Sequence, residues 1–274
     1  MSIEPNHQMS LFDLNPSPAP ETPPQKLKPV SSEPVSTAPM TIQPLQSKLQ
    51  TNLGYESLDQ LEQALQGCQK CPLSQYRTQI VFERGNRHAQ IVLIGEAPGQ
   101  NEDELGMPFV GKSGQLLDKI LASVGLDSNQ DIYICNVNKC RPENNRTPTD
   151  AEIEACKPFL LEQLRLLDPK IILLTGATAV KAILKINLGI TKIRGQWSQW
   201  EGRWVMPIFH PAYLLRNQSR EVGKPKWLMW QDIQAVKAKL VELLGEPAAA
   251  SDLEPLLVVT HHEAQQLDDD DDEF

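Results

Sequence analysis

The chain has no long apolar run and few cysteines. No segment of its 274 residues approaches the ~20 consecutive apolar residues that a membrane span requires. The N-terminus is polar and lacks the apolar stretch of a secretory signal, which points to a cytoplasmic protein. Five Cys is an odd number, and no secretory signal accompanies them. Metal or cluster ligation therefore fits them better than a disulfide framework. A net basic charge is also missing, since the formal charge is −9. The average misleads, because the last 24 residues hold nine acids and no Lys or Arg. Residues 51–250 hold 22 acids and 23 bases, a net of +1, so a nucleic-acid partner is not excluded and any basic face must be local.

What is there divides into a core and two tails. Ten of the 22 Pro fall in residues 1–50, which show no apolar periodicity. Such a segment buries too little surface to offset its ordering entropy. Residues 245–274 end in the run Asp268 to Asp272, then Glu273 and Phe274, which repels itself. Disorder is expected for both tails, with one domain over residues 51–244, long enough for a sizeable core and expected to be a monomer.

Within that domain strand and helix patterns alternate. Ile91–Ile94, Ile132–Val137, Lys170–Thr175 and Trp204–Phe209 read as buried strands. Helices are expected from Ser113 to about Val124, from Thr149 to about Leu167, from Ala177 to Leu184 and from Lys226 to Leu244. Thr149 with Glu152 makes a capping-box pattern, and Asp168-Pro169 stops that helix. The pattern predicts a three-layer α/β/α fold with a short, mostly parallel central sheet of about four strands. In such sheets the site lies outside the carboxyl ends of the strands.

Three strand ends carry candidate chemistry. After the first comes Gly95-Glu96-Ala97-Pro98-Gly99, then Pro108-Phe109-Val110-Gly111. The turn taken alone is an ordinary βα connection, and Phe109 is either a packing residue or a stacking plate. The second strand ends at Asn136, which offers a donor and an acceptor together and so suits the reading of an amide-like edge. The fourth ends in His210-Pro211-Ala212-Tyr213-Leu214-Leu215-Arg216, where His210 is either a satisfied structural residue or a hydrogen-bond donor in a site. Among the cysteines, Cys68 and Cys71 form a C-x-x-C pair, with Cys140 and Cys156 farther on. Four thiolates suit zinc or a four-iron four-sulfur cluster, and spacing alone does not separate the two. Cys135 reads as a small buried hydrophobe.

Two other classes compete. Gly106 to Ser113 fits the P-loop pattern G-x-x-x-x-G-K-S, but Asn101-Glu102-Asp103-Glu104 precedes it where an apolar strand is required. A non-catalytic, cluster-bearing DNA-binding module would have little use for Phe109, Asn136 and His210 at separate strand ends.

Taken together, Cys68-x-x-Cys71-Pro72-Leu73, Gly95–Gly99, Pro108–Gly111, Asn136 before Lys139-Cys140-Arg141-Pro142, Asn145-Arg146, Cys156 and His210–Leu215 resemble the family-four, iron–sulfur uracil-DNA glycosylases. The resemblance runs from about Cys68 to Leu244. It implies one four-iron four-sulfur cluster on Cys68, Cys71, Cys140 and Cys156, structural rather than catalytic. The reaction it implies is hydrolysis of the N-glycosidic bond of deoxyuridine in DNA. Phe109 would stack on the flipped base, Asn136 would read it, and His210 would hydrogen-bond the leaving uracil at O2. Glu96 and Glu102 are the candidates for orienting water or stabilising the sugar cation. Ala97 stands where better-known uracil glycosylases place Asp, so the water-activating group is left open. Leu214, Leu215 and Arg216 would fill the gap in the DNA stack. A sister glycosylase for hypoxanthine or other deaminated bases is the alternative enzyme.

In the N-terminal tail, Gln8-Met9-Ser10-Leu11-Phe12 resembles the peptide by which bacterial repair proteins dock on the sliding clamp, with Gln8, Leu11 and Phe12 as anchors. The acidic C-terminus is loosely similar to the tail of single-strand-binding proteins, but lacks Pro before Phe274.

Overall fold

A computed structural model describes residues 52–245. Both tails, with Gln8, Leu11 and Phe12, lie outside the described residues.

The sheet has six strands: β1 (Arg84–Gly85), β2 (Ile91–Gly95), β3 (Ile132–Asn136), β4 (Ile171–Thr175), β5 (Ser198–Trp200) and β6 (Arg203–Ile208). Their order is β1-β3-β2-β4-β6-β5. The inner four are parallel, and β1 and β5 are antiparallel edges. The expectation of about four strands is therefore corrected to six. The inner strands carry the apolar runs legible in the sequence. The edges are two and three residues long, too short to show a period.

The helices are α1 (Leu58–Leu65), α2 (Gln100–Leu105), α3 (Lys112–Ala122), α4 (Asp150–Leu167), α5 (Ala177–Leu184), α6 (Ile190–Ile193), α7 (Pro211–Leu215) and α8 (Pro225–Leu244). Ser57 caps α1 by accepting from Gln60 N. Thr149 and Glu152 form the expected capping box on α4, and Asp168 ends that helix in a left-handed conformation at φ 44°.

Alternation along each strand sends successive side chains to opposite faces. Val92, Ile94, Tyr133, Cys135, Ile172 and Leu174 pack with residues of α1, α4 and α5. Ile91, Leu93, Ile132, Ile134, Ile171, Leu173 and Met206 pack with residues of α3, α7 and α8. Each fully buried Ile or Leu contributes about 1.5–3 kcal/mol relative to exposure. Helices thus cover both faces of the sheet, and no described helix is long and apolar enough to cross a membrane. The chain runs from β2 to β3 on one side, then returns to β4 on the other. This reversal opens a crevice at the carboxyl end of β2.

Candidate active site

Gly95 closes β2 at that crevice, and Asn136 is its register partner on β3. A Cβ at Gly95 would stand 2.3 Å from Asn136 Oδ1 and 2.6 Å from Phe109 Cζ. The missing side chain is what lets the Asn136 amide and the Phe109 ring meet at one point. Phe109 also stacks on His210, with ring centroids 5.8 Å apart and an interplanar angle of 29°. Asn136 and Phe109 thereby meet at Gly95, and His210 joins them through the Phe109 ring. Asn136 is buried, and its side-chain amide has no hydrogen-bond partner among the described residues.

Phe109 holds a left-handed backbone at φ 56°, a costly conformation for an aromatic residue. The peptide groups on both sides of it are tied down. Arg84 Nε donates to Pro108 O at 2.9 Å, while Arg84 also pairs with Asp118 on α3 at 2.6 Å. Glu102 Oε1 accepts from Val110 N at 3.0 Å and Gly111 N at 2.9 Å, and Oε2 accepts from Gly99 N at 3.1 Å. Gly114 completes the support, because a Cβ there would fall 1.8 Å from Phe109 O. Glu102 is thus a buried brace, not the solvated loop carboxylate its sequence context suggests.

His210 caps α7, with Nδ1 accepting from Ala212 N at 3.2 Å. That bond puts the single proton of the neutral imidazole on Nε2. Burial pushes the His210 pKa down to about 4; the nearby Arg216 charge acts in the same direction and Glu102 opposes both. The ring is therefore a neutral donor at physiological pH. Behind it, Gly176 at φ 88° brings the end of β4 against the His210 Cβ.

Glu96 follows β2 and is half-buried. Its Oε2 accepts from the Thr178 hydroxyl at the start of α5, and its main-chain oxygen accepts from Asn138 N at 3.1 Å. Ala97 lies next to it, half-buried, with a methyl group and no polar atom to offer. The expected DNA-facing residues divide. Leu214 is fully buried in the core with α3 and α8 residues, so its assignment to the DNA surface is corrected. A five-residue helix shows no periodicity from which its inward face can be read. Leu215 is 36% exposed, and Arg216 is exposed.

The cysteines form a second centre. Cys68, Cys71, Cys140 and Cys156 line one small cavity together with Lys70, Arg77 and Lys139. Arg77 Nη1 donates to Cys140 Sγ at 3.2 Å and to Cys68 O at 2.8 Å, and Lys139 N donates to Cys156 Sγ at 3.4 Å. Burial pushes the Cys71 and Cys140 thiols up and Cys156 to about 12. Among the described residues no three His, Cys, Asp or Glu side chains converge on a point that would hold one metal ion. A zinc ion needs its sulfurs at about 2.3 Å from a single centre. The four thiols line one cavity, and as a donor set they suit a metal ion or an iron–sulfur cluster. Lys139 is buried, and among the described residues it forms no ion pair with a carboxylate. Cys135 is buried on the sheet face away from α3, as read from alternation.

Nothing in the sequence marks Arg77 or Arg84, and Lys139 stands in the motif before Cys140 with no sign of its burial. The two arginines act through contacts distant in sequence, Arg77 on Cys140 and Arg84 on Pro108 and Asp118.

Residues 82–237 match the family model described as the uracil DNA glycosylase superfamily. The chain is 43% identical over 185 residues to the type-4 uracil-DNA glycosylase of Thermotoga maritima, covering 67% of this chain and 94% of that protein. It is 43% identical over 176 residues to the type-4 uracil-DNA glycosylase of Archaeoglobus fulgidus, covering 61% and 87%. Similarity to the type-5 uracil-DNA glycosylase of Pyrobaculum aerophilum is lower, at 31% over 171 residues, covering 54% and 75%.

Proposed function

The chain belongs to the type-4 uracil-DNA glycosylases of the uracil DNA glycosylase superfamily, and from that premise we propose how its residues excise the base. Its activity is uracil-DNA glycosylase activity in base-excision repair: the N-glycosidic bond of deoxyuridine in DNA is hydrolysed, uracil is released and an abasic site remains.

The observation that carries the residue assignment is the meeting of Asn136 and Phe109 at Gly95, with His210 stacked on Phe109. The target base leaves the stack at a cost of a few kcal/mol. Phe109 stacks on the extruded ring. The Asn136 amide accepts from N3–H and donates to O4, and cytosine leaves both bonds unmade, a mismatch that buried polar groups penalise strongly. As the glycosidic bond breaks, negative charge grows on the base and positive charge on the sugar. His210 Nε2–H donates to O2 as that charge develops. A donor of this kind is typically worth ~2.7–4 kcal/mol of barrier. Glu96, whose Oε1 has no hydrogen-bond partner among the described residues, orients water or stabilises the sugar cation. Glu102, with its lone pairs committed to three backbone amides, serves by holding the Phe109 loop. Leu215 and Arg216 fill the gap in the DNA.

Cys68, Cys71, Cys140 and Cys156 hold one four-iron four-sulfur cluster, the group typical of type-4 enzymes. When bound, it supplies a structural tie between the Cys68–Cys71 turn, the segment after β3 and α4. Gln8, Leu11 and Phe12 dock on the sliding clamp; loss of clamp binding on combined Leu11→Ala and Phe12→Ala substitution supports this, and unchanged binding sinks it.

The assignment is tested with a labelled oligonucleotide carrying one uracil, followed by alkaline cleavage of abasic sites. Matched oligonucleotides carry thymine, cytosine or hypoxanthine. Cleavage at uracil alone, lost in Asn136→Ala, is expected. Cleavage at hypoxanthine of equal rate would favour a broader deaminated-base enzyme, and an active Asn136→Ala would remove Asn136 as the reader.

A further inference from the structure

Lys139 is fully buried, and base excision as outlined gives it no task. A buried ammonium without a counter-charge is costly. Among the described residues no carboxylate forms an ion pair with it. Glu83 is near enough to feel its charge; Oε1 of that carboxylate accepts from Arg87 at 2.9 Å, and Oε2 is buried without a hydrogen-bond partner, yet it makes no ion pair with Lys139. What Lys139 does touch is specific. Nζ donates to the main-chain oxygen of Asn136 at 2.6 Å and lies against the Cys135 thiol. Its own N–H donates to Cys156 Sγ at 3.4 Å, and its carbonyl accepts from Val81 N at 2.9 Å. The next residue is Cys140, held through its thiol by Arg77.

The turn Asn136–Cys140 therefore has the base-facing amide at one end and two thiols of the cysteine centre at the other. The lysine side chain closes a ring between them. Past Asn136 the main chain is tied to β2 through amides only, Val137 N to Gly95 O and Asn138 N to Glu96 O. The Asn136 carbonyl, which sets the tilt of that peptide plane, is held by the ammonium.

We propose that Lys139 is a positioning residue that ties the cysteine centre to Asn136, so that the orientation of the base-reading amide depends on order at the thiols. The proposal rests on the reading that Asn136 recognises uracil and that the four cysteines hold the cluster. An ammonium facing thiolate ligands gains counter-charge beyond what the unpaired Glu83 carboxylate supplies at a distance, and the same group fixes the Asn136 peptide. A displacement of about 1 Å in a reading group costs on the order of 100-fold in rate.

The test is a double-mutant cycle on cluster-loaded protein, with Lys139→Met, Asn136→Ala and the double variant. Three quantities are read: single-turnover excision of uracil, affinity for DNA carrying non-cleavable 2′-fluoro-deoxyuridine, and iron content with visible absorbance. Lys139→Met keeps the main-chain N–H to Cys156, so iron is expected to stay. Excision and affinity are expected to fall about 10- to 100-fold. In the Asn136→Ala background the same change is expected to add less than about 3-fold. Losses that multiply, or a Lys139→Met protein with full iron and normal rate and affinity, overturn the tie. Should Lys139→Met lose iron, Lys139→Arg decides, because a guanidinium keeps the charge and a donor for the Asn136 carbonyl. Iron regained with losses still non-additive with Asn136→Ala supports the proposal; iron regained with multiplying losses overturns it. Unchanged excision in Asn136→Ala alone overturns the reading of Asn136 instead, whatever Lys139 does.

Discussion

The base pocket and the cysteine centre sit at the two ends of one turn, Asn136–Cys140, and are held by different forces. In the pocket the controlling contacts are steric. Gly95 leaves room measured in tenths of an ångström for Asn136 and Phe109, and Gly114 does the same under the Phe109 carbonyl. In the cysteine centre the controlling term is charge. Burial holds Cys71, Cys140 and Cys156 toward the neutral thiol, while Arg77 and Lys139 face them with positive charge. A steric site is broken by adding an atom, a charged one by removing a donor.

The largest effect follows from breaking the pocket alone. Gly95→Ala places a methyl carbon 2.3 Å from Asn136 Oδ1 and 2.6 Å from the Phe109 ring, and neither neighbour is the loose end of a flexible chain. Both must move. Misplacing two recognition groups together is expected to lower single-turnover excision by about 10³-fold or more. Iron content is expected to be unchanged, since Gly95 is not among the residues lining the cysteine cavity. Loss of iron in this variant would show that the two regions are not separately held.

Breaking the other region is expected to have a smaller effect on rate and a larger one on stability. Cys156→Ser replaces a buried ligand on α4. Loss of iron and a lower Tm are expected, because ligation energy is folding energy in such sites. Excision is expected to fall about 10- to 100-fold through the displaced Asn136 amide. A normal rate in iron-free protein would sever the comparison at its hinge, the turn itself.

Much of this layout was legible before any coordinates. The four inner strands are uninterrupted apolar runs, and α4 announces both its ends through Thr149-Glu152 and Asp168-Pro169. Asn136 and His210 stand at strand ends, where the fold class directs attention. The rest depends on contacts between distant segments. Glu102 reads as an exposed loop acid because only the folded loop brings Val110 N and Gly111 N to it. Lys139 reads as surface because lysine usually is. Leu214 reads as a wedge because nothing in five residues reveals the core behind it.

Glu102→Gln sharpens the account of the pocket by separating brace from catalyst. The amide oxygen can still accept from Val110 N and Gly111 N, but without the charge that strengthens those bonds, and the amide NH2 cannot accept from Gly99 N. A charge-assisted bond exceeds a neutral one by about 1–1.5 kcal/mol, so a loss of about 10-fold is expected, carried mainly by KM as the Phe109 loop loosens. A loss confined to kcat, with KM unchanged, would return Glu102 to the chemistry of the sugar cation.

The smallest expected effect is none at all, and it tests the electrostatics of the pocket most directly. Burial first, and the Arg216 charge second, hold the His210 pKa at about 4, below its ordinary 6.5. Between those values the unfolded chain takes up a proton that the folded chain refuses. The stability contributed by the neutral ring is therefore full above about pH 6.5 and is lost as the pH falls toward 4. Excision has a different dependence, because it follows the folded protein alone. Nε2–H is present on the neutral ring throughout, so the single-turnover rate is expected to be flat across pH 5.5–8, with any fall confined to the region near 4. The measurement is that rate profile beside the profile of His210→Gln, which keeps a neutral donor. An inflection near pH 6.5 in the unsubstituted protein, absent from His210→Gln, would mean that the ring titrates like an exposed imidazole. A rate that rises as the ring takes up its proton would make the charged form the donor to the leaving base, and one that falls would keep the neutral form. A flat profile in both leaves the neutral imidazole as the donor, held in one tautomer by the Ala212 amide.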